Sequence, residues 1–208
     1  MPVRVKVCGV TSIDDARGCI EACVDAIGVN LVPTSPRCVD RDTARAIAAA
    51  IGTRALCIGV TADLSVDTLR ALRDDLGLGC LQLHGDEPPE TIEALLPRAY
   101  KAIRVGSVED ASRADLFPGA HLLVDGRVSG VLGGTGVRVD PSLVAALARR
   151  RKLTLAGGLS VSNVAAAIAA VGPWAVDVAS GVEVPGNPRK KDLRAVAAFV
   201  AAVRAASP

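Results

Sequence analysis

The sequence predicts a single-domain α/β fold over residues 1–208, a (β/α)8 barrel of the TIM type. Strand-like apolar runs and helix-like segments alternate from one end to the other. Most runs are continuous in Val, Ile, Leu and Ala, as in parallel strands covered on both faces. Eight βα units share 208 residues, about 26 each, which favours a compact closed barrel over an open doubly wound sheet.

The strand runs are 3–8, 25–31, 54–60, 80–84, 100–105, 121–125, 152–156 and 175–179. The helical segments are 14–23, 41–51, 65–76, 88–96, 107–115, 141–150, 161–171 and 192–205. Ser12-Ile13-Asp14-Asp15 resembles a capping box, and Asp140-Pro141 places a cap before a proline at the first helical position. No linker or low-complexity tract divides the chain, and Pro185-Gly186-Asn187-Pro188 falls inside the last loop.

Composition excludes several classes. Half the residues are hydrophobic and 22% are charged, so the chain can bury a core. The net charge of +2 and an aromatic content of 2% argue against nucleic-acid binding. The start lacks a signal-peptide stretch, and no apolar run approaches the roughly 20 residues of a membrane span. The six cysteines form no C-x-x-C pair. They read as reduced thiols in a cytoplasmic protein, and two distant histidines do not suggest a metal site.

In such a barrel the active site lies at the C-terminal ends of the strands. There the runs lead into Cys8-Gly9, Ser35-Pro36-Arg37, Gln82-Leu83-His84-Gly85, Asp125, Gly133-Gly134-Thr135-Gly136, Gly157-Gly158 and Ser180-Gly181. Glycine turns let a ligand approach the backbone, and their N–H groups can surround an anion. The loops at 133–136, 157–158 and 180–181 are therefore expected to hold a phosphate. Cys8 ends a strand, with Lys6 on the same face, so the ammonium is expected to favour the thiolate. Cys19, Cys23, Cys57 and Cys80 read as structural, and Cys38 stays undecided. Asp125 closes an apolar strand and must be solvated at the mouth or paired. Asp177, amid Ala and Val, is expected to pair with Lys6 on the neighbouring strand. Arg37 offers a fork suited to a carboxylate or a phosphate. His84 suits either an acid–base or a structural role.

The ordered series resembles the phosphoribosylanthranilate isomerase family of tryptophan biosynthesis. It comprises Lys6-Val7-Cys8-Gly9, Ser35-Pro36-Arg37, Gln82-Leu83-His84-Gly85, Asp125, Gly133-Gly134-Thr135-Gly136, Ala156-Gly157-Gly158-Leu159 with Asn163-Val164, and Asp177 to Ser180-Gly181-Val182-Glu183. The match covers nearly the whole chain. It implies a cofactor-free Amadori rearrangement of N-(5-phosphoribosyl)anthranilate to 1-(2-carboxyphenylamino)-1-deoxyribulose 5-phosphate. Asp125 would be the general acid and Cys8 the general base. Arg37 would hold the anthranilate carboxylate and the late glycine loops the phosphate, in a monomer or a homodimer.

Two departures stand out. Asn30-Leu31-Val32 and Gly59-Val60-Thr61 stand where the family often has aromatics, so the wall beside the ring is expected to be aliphatic. The segment Val184 to Lys191 is longer than usual. The rivals are the related isomerase of histidine biosynthesis, expected to carry Asp at the Cys8 position, ribulose-phosphate epimerases, which need metal ligands scarce here, and a non-catalytic phosphate-binding barrel.

Overall fold

The computed structural model describes residues 2–105, 107–128, 138–139 and 141–207. Eight parallel strands close into a barrel: β1 (Arg4–Cys8), β2 (Ala26–Asn30), β3 (Leu56–Thr61), β4 (Cys80–Leu83), β5 (Ala99–Arg104), β6 (His121–Asp125), β7 (Lys152–Ala156) and β8 (Ala175–Val178). Neighbours in sequence are neighbours in space, and β8 pairs with β1 through Arg4↔Ala175 to Val7↔Val178. The helices are α1 (Ile13–Glu21), α2 (Arg41–Ile51), α3 (Val66–Asp75), α4 (Pro89–Glu93), α5 (Val108–Arg113), α6 (Pro141–Arg150), α7 (Val164–Val171) and α8 (Leu193–Ala206).

Alternation along each strand divides the side chains into two environments. Val5 and Val7 point out and are fully buried in the layer between barrel and helices. Lys6 and Cys8, between and after them, share the inner face. The helices meet that layer with one stripe each. In α2, Ala44, Ile47, Ala48 and Ile51 are buried at helical spacing, and the Asp40 carboxylate caps the helix by accepting from the Thr43 N–H at 2.7 Å. Burying a side chain such as Ile47 or Leu69 contributes about 1.5–3 kcal/mol.

The barrel interior is unusually polar. Lys6, Gln82, Tyr100, Thr154 and Asp177 are all buried. Near the N-terminal ends of the strands, His121 stacks on Tyr100 (centroids 4.2 Å apart) and meets the edge of Trp174 (5.1 Å). His121 also shares a 2.8 Å hydrogen bond with the Thr154 hydroxyl. Burial, with Lys6, Lys152 and other cations nearby, pushes the His121 imidazole down to about 4. These rings plug the bottom and leave the C-terminal end open.

Several expected helices are shorter. The segment expected at 88–96 yields only Pro89–Glu93, and 107–115 gives α5 followed by a 3-10 turn, Ala114–Leu116. The segment expected at 161–171 begins at Val164, because Asn163 first accepts the Ser160 N–H and bends the chain. Ser12 caps α1 by accepting from the Asp15 N–H, but the Asp15 carboxylate does not complete a box. It turns to Lys190 and the Lys191 N–H instead. Asp140 lies outside the described residues. In the last loop, where the sequence predicts no regular element, Glu183–Val184 pairs antiparallel with Asn187–Lys191 in a hairpin.

Candidate active site

The open end of the barrel holds a cavity of about 260 Å3. Cys8, Arg37, His84, Asp125, Gly157, Gly158 and Ser180 all line it, so most of the predicted residues converge. Gly133, Gly134 and Gly136 lie outside the described residues. Gly181 does not line the cavity; a Cβ there would sit 2.0 Å from the Leu159 carbonyl oxygen. Its role is close packing of the loop after β8 against the loop after β7.

Cys8 ends β1 beside Gly28 on β2. A Cβ on Gly28 would lie 2.8 Å from the Cys8 sulfur and 3.1 Å from the Lys6 Cε, so only glycine leaves room for both groups. Lys6 donates to Asp177 Oδ2 at 2.7 Å and to Gln82 Oε1 at 3.0 Å, as the expected pair requires. Burial works to strip its proton, but Asp177, Cys8 and Tyr100 outweigh it and hold the ammonium above the usual lysine range. The expected thiolate preference at Cys8 does not hold. Burial pushes the thiol above its ordinary range, and Asp177 adds to the push. Lys6 and Lys191 pull the other way without outweighing burial.

Asp125 ends β6, separated from β1 by β7 and β8, and faces Cys8 across the mouth. His84 Nε2 lies 3.6 Å from Asp125 Oδ2. Gln82 fixes the imidazole orientation. Its Oε1 accepts from Lys6 and from the Tyr100 hydroxyl, so its amide nitrogen donates to His84 Nδ1 at 3.1 Å. That leaves the His84 proton on Nε2, directed at Asp125. The loop carrying His84 is fixed in turn by Glu87, which accepts from the Asp63 and Gly85 N–H groups and pairs with buried Lys101 at 2.7 Å.

Gly157 has φ +101°, a conformation L side chains rarely adopt. A Cβ there would come within 2.9 Å of Asp125 Oδ1 and of the Gly126 backbone. The glycine therefore sets the close approach of the β7 loop to the Asp125 carboxylate, besides lining the cavity.

Arg37 reaches the mouth from the loop after β2, but its fork is engaged. Nε and Nη2 donate to the two oxygens of Glu183 at 2.6 and 2.9 Å. Burial would raise the Glu183 carboxyl, yet hydrogen bonds from Arg37 and Lys191 hold it below the usual range. Aliphatic Val60 and Leu159 line the cavity, as does Leu123, in keeping with the expected absence of an aromatic wall.

A family model, N-(5'phosphoribosyl)anthranilate (PRA) isomerase, matches residues 5–202. The chain belongs to this family. It is 47% identical to N-(5'-phosphoribosyl)anthranilate isomerase from Myxococcus xanthus, over 98% of this chain and 97% of that one. Among solved structures, phosphoribosyl anthranilate isomerase from Thermotoga maritima is 34% identical with a TM-score of 0.86, covering 98% of this chain and 99% of its own. A dimeric form of that organism's isomerase has been converted to monomers. Another family structure, 32% identical with a TM-score of 0.84 over 98% and 99% of the two chains, holds reduced 1-(o-carboxyphenylamino)-1-deoxyribulose 5-phosphate.

Gln82 and Glu183 stand within the matching motifs, but the sequence alone assigns neither a role. Parity could have found Gln82, which sits two residues before His84 and so shares its face of β4. Glu183 reaches Arg37 from 146 residues away, through a hairpin whose Pro185-Gly186 turn is visible in the sequence but whose contact with Arg37 is not. Asn30, expected to form part of an aliphatic wall segment, puts a polar side chain into the cavity lining instead.

Proposed function

We propose that this single-domain barrel, residues 1–208, isomerises N-(5'-phosphoribosyl)anthranilate by acid–base chemistry between Asp125 and Cys8. The observation that carries the reading is their convergence, from strands three places apart, on one cavity also lined by Arg37, Gly157, Gly158 and Ser180. A sugar placed between them meets an acid on one side and a base on the other. Asp125 gives its proton to the ribose ring oxygen as the C1–O bond breaks, leaving a protonated Schiff base. The Cys8 thiolate then removes the C2 proton, and the enaminol tautomerises to the ketone. The glycine loops and Ser180 hold the phosphate, Arg37 the anthranilate carboxylate, and His84 orients Asp125. The scheme uses no cofactor.

The Cys8 proton is the restraint on this scheme. Burial pushes the thiol up and so disfavours the thiolate, while Lys6 and Lys191 act in its favour. One chain supplies every group named, so monomer and homodimer are equally competent. Six free cysteines fit a cytoplasmic setting. No helix among the described residues is long and apolar enough to cross a membrane.

Purified protein should consume phosphoribosylanthranilate, followed by loss of its fluorescence, and leave the histidine-pathway substrate untouched. Asp125→Asn should lower kcat by about 10²–10⁴. Turnover of the histidine-pathway substrate alone would overturn the reading.

A further inference from the structure

The hairpin Glu183–Lys191 remains unexplained by the acid–base scheme. Glu183 engages the Nε–H and one Nη2–H of Arg37. The opposite edge of the guanidinium, Nη1 and the second Nη2–H, is the edge left to meet a ligand. The arginine stem lies across the end of β1, where a Cβ on Gly9 would come within 2.3 Å of Arg37 Cδ.

Glu183 is itself anchored. Lys191, fully buried, donates to Glu183 Oε1 at 2.9 Å and to the Ala179 carbonyl at 3.2 Å. The trio of Arg37, Glu183 and Lys191 thus keeps one net positive charge. Without Lys191, the glutamate would cancel the arginine it holds. The same hairpin grips the Arg37 loop by its backbone: Arg189 Nη1 donates to the carbonyls of Pro36 (3.3 Å) and Cys38 (2.8 Å). Its far end is tied to buried Asp15 in α1 through the Lys191 N–H at 3.0 Å and Lys190 Nζ at 2.8 Å.

We propose that this hairpin is a specificity element in which Glu183 positions Arg37, so that the outer edge of the guanidinium reads an aromatic carboxylate. An unbraced loop arginine must surrender side-chain freedom when it binds; one already held by a bidentate partner does not. Lys191 keeps the brace from neutralising the site. The inference rests on Arg37 being the carboxylate contact, and the test separates the two claims.

The test measures binding of two reduced product analogues, one with the ortho carboxylate and one with hydrogen in its place. Wild type should prefer the carboxylate by about 10-fold or more, the usual worth of a charge-assisted bond. Arg37→Met should abolish the preference. Glu183→Gln should remove most of it while the analogue lacking the carboxylate binds as before, and KM should rise far more than kcat falls. Adding Glu183→Gln to Arg37→Met should cost nothing further. Because Glu183→Gln leaves Lys191 buried beside a neutral amide, a second variant, Glu183→Gln with Lys191→Met, repeats the measurement without that burden. Full carboxylate preference in both glutamate variants, with Arg37→Met having lost it, overturns the brace and spares the Arg37 contact. Full preference in Arg37→Met overturns the contact and the brace together.

Discussion

Lys6 and Asp177 offer the sharpest test of how the barrel interior is held together. Their atoms lie 2.7 Å apart, and the side chains are only 4% and 7% exposed. Removing one member of such a pair leaves a buried charge alone, typically at a cost of about 3–5 kcal/mol. The structure makes the two removals unequal. After Asp177→Ala, Lys6 still donates to Gln82 at 3.0 Å. After Lys6→Met, Asp177 has lost the partner of Oδ2, and its Oδ1 has no hydrogen-bond partner among the described residues. Asp177→Ala should therefore cost about 3 kcal/mol and Lys6→Met about 5 kcal/mol, the two ends of that range. For a chain of this size each kcal/mol moves Tm by roughly 2–4 °C. The expected losses are then about 6–12 °C for Asp177→Ala and about 10–20 °C for Lys6→Met, read by denaturant titration and thermal melts at pH 7. The double variant Lys6→Met with Asp177→Leu should recover much of the loss, because the charges leave together. A Tm for Asp177→Ala equal to wild type would refute the buried pair, and a larger loss there than in Lys6→Met would refute the ordering.

Three further predictions concern pH and the glycine loop. His121 is held near 4 in the fold against about 6.5 when unfolded, so the unfolded chain binds more protons between those values. Stability should fall by about 3 kcal/mol as pH drops from 6.5 to 4, and His121→Gln should flatten that slope; an unchanged slope would contradict it. In wild type, kcat/KM should still be rising with pH above about 8.5, because burial has raised the free-enzyme thiol; Cys8→Asp should move the rise into the carboxylate range. A wild-type profile already flat at pH 7 would refute the raised thiol. Gly157→Val should raise KM and lower kcat together, since its Cβ meets both the cavity and Asp125. A folded variant with both constants unchanged would remove Gly157 from the site.

Much of this was readable from the chain. The strands at His121–Asp125 and Lys152–Ala156 and the helices at Arg41–Ile51 and Pro141–Arg150 fall where the pattern puts them, because their apolar spacing matches the burial each strand and helix meets. The Lys6–Asp177 contact was legible too, since closing eight strands makes the first and last neighbours. What escaped was set by partners distant in sequence. Arg37 is an ordinary loop arginine until the hairpin brings Glu183 to it. The Cys8 thiol could be seen beside an ammonium paired with Asp177, but not that burial would decide the balance. Gly157 and Gly181 look alike as punctuation. In space one bounds the cavity beside Asp125, and the other packs against a carbonyl.

The central claim is that the Cys8 sulfur takes the C2 proton, and the kcat of Cys8→Ala on phosphoribosylanthranilate tests it most directly. The substitution empties a small volume at the mouth and leaves Asp125, Arg37 and the loops of β7 and β8 in place. Affinity for the reduced product analogue should be nearly unchanged. The account predicts a kcat lower by about 10²–10⁴, with Cys8→Ser nearly as poor because a hydroxyl yields far less anion than a thiol. A Cys8→Ala enzyme turning over at the wild-type rate would contradict it.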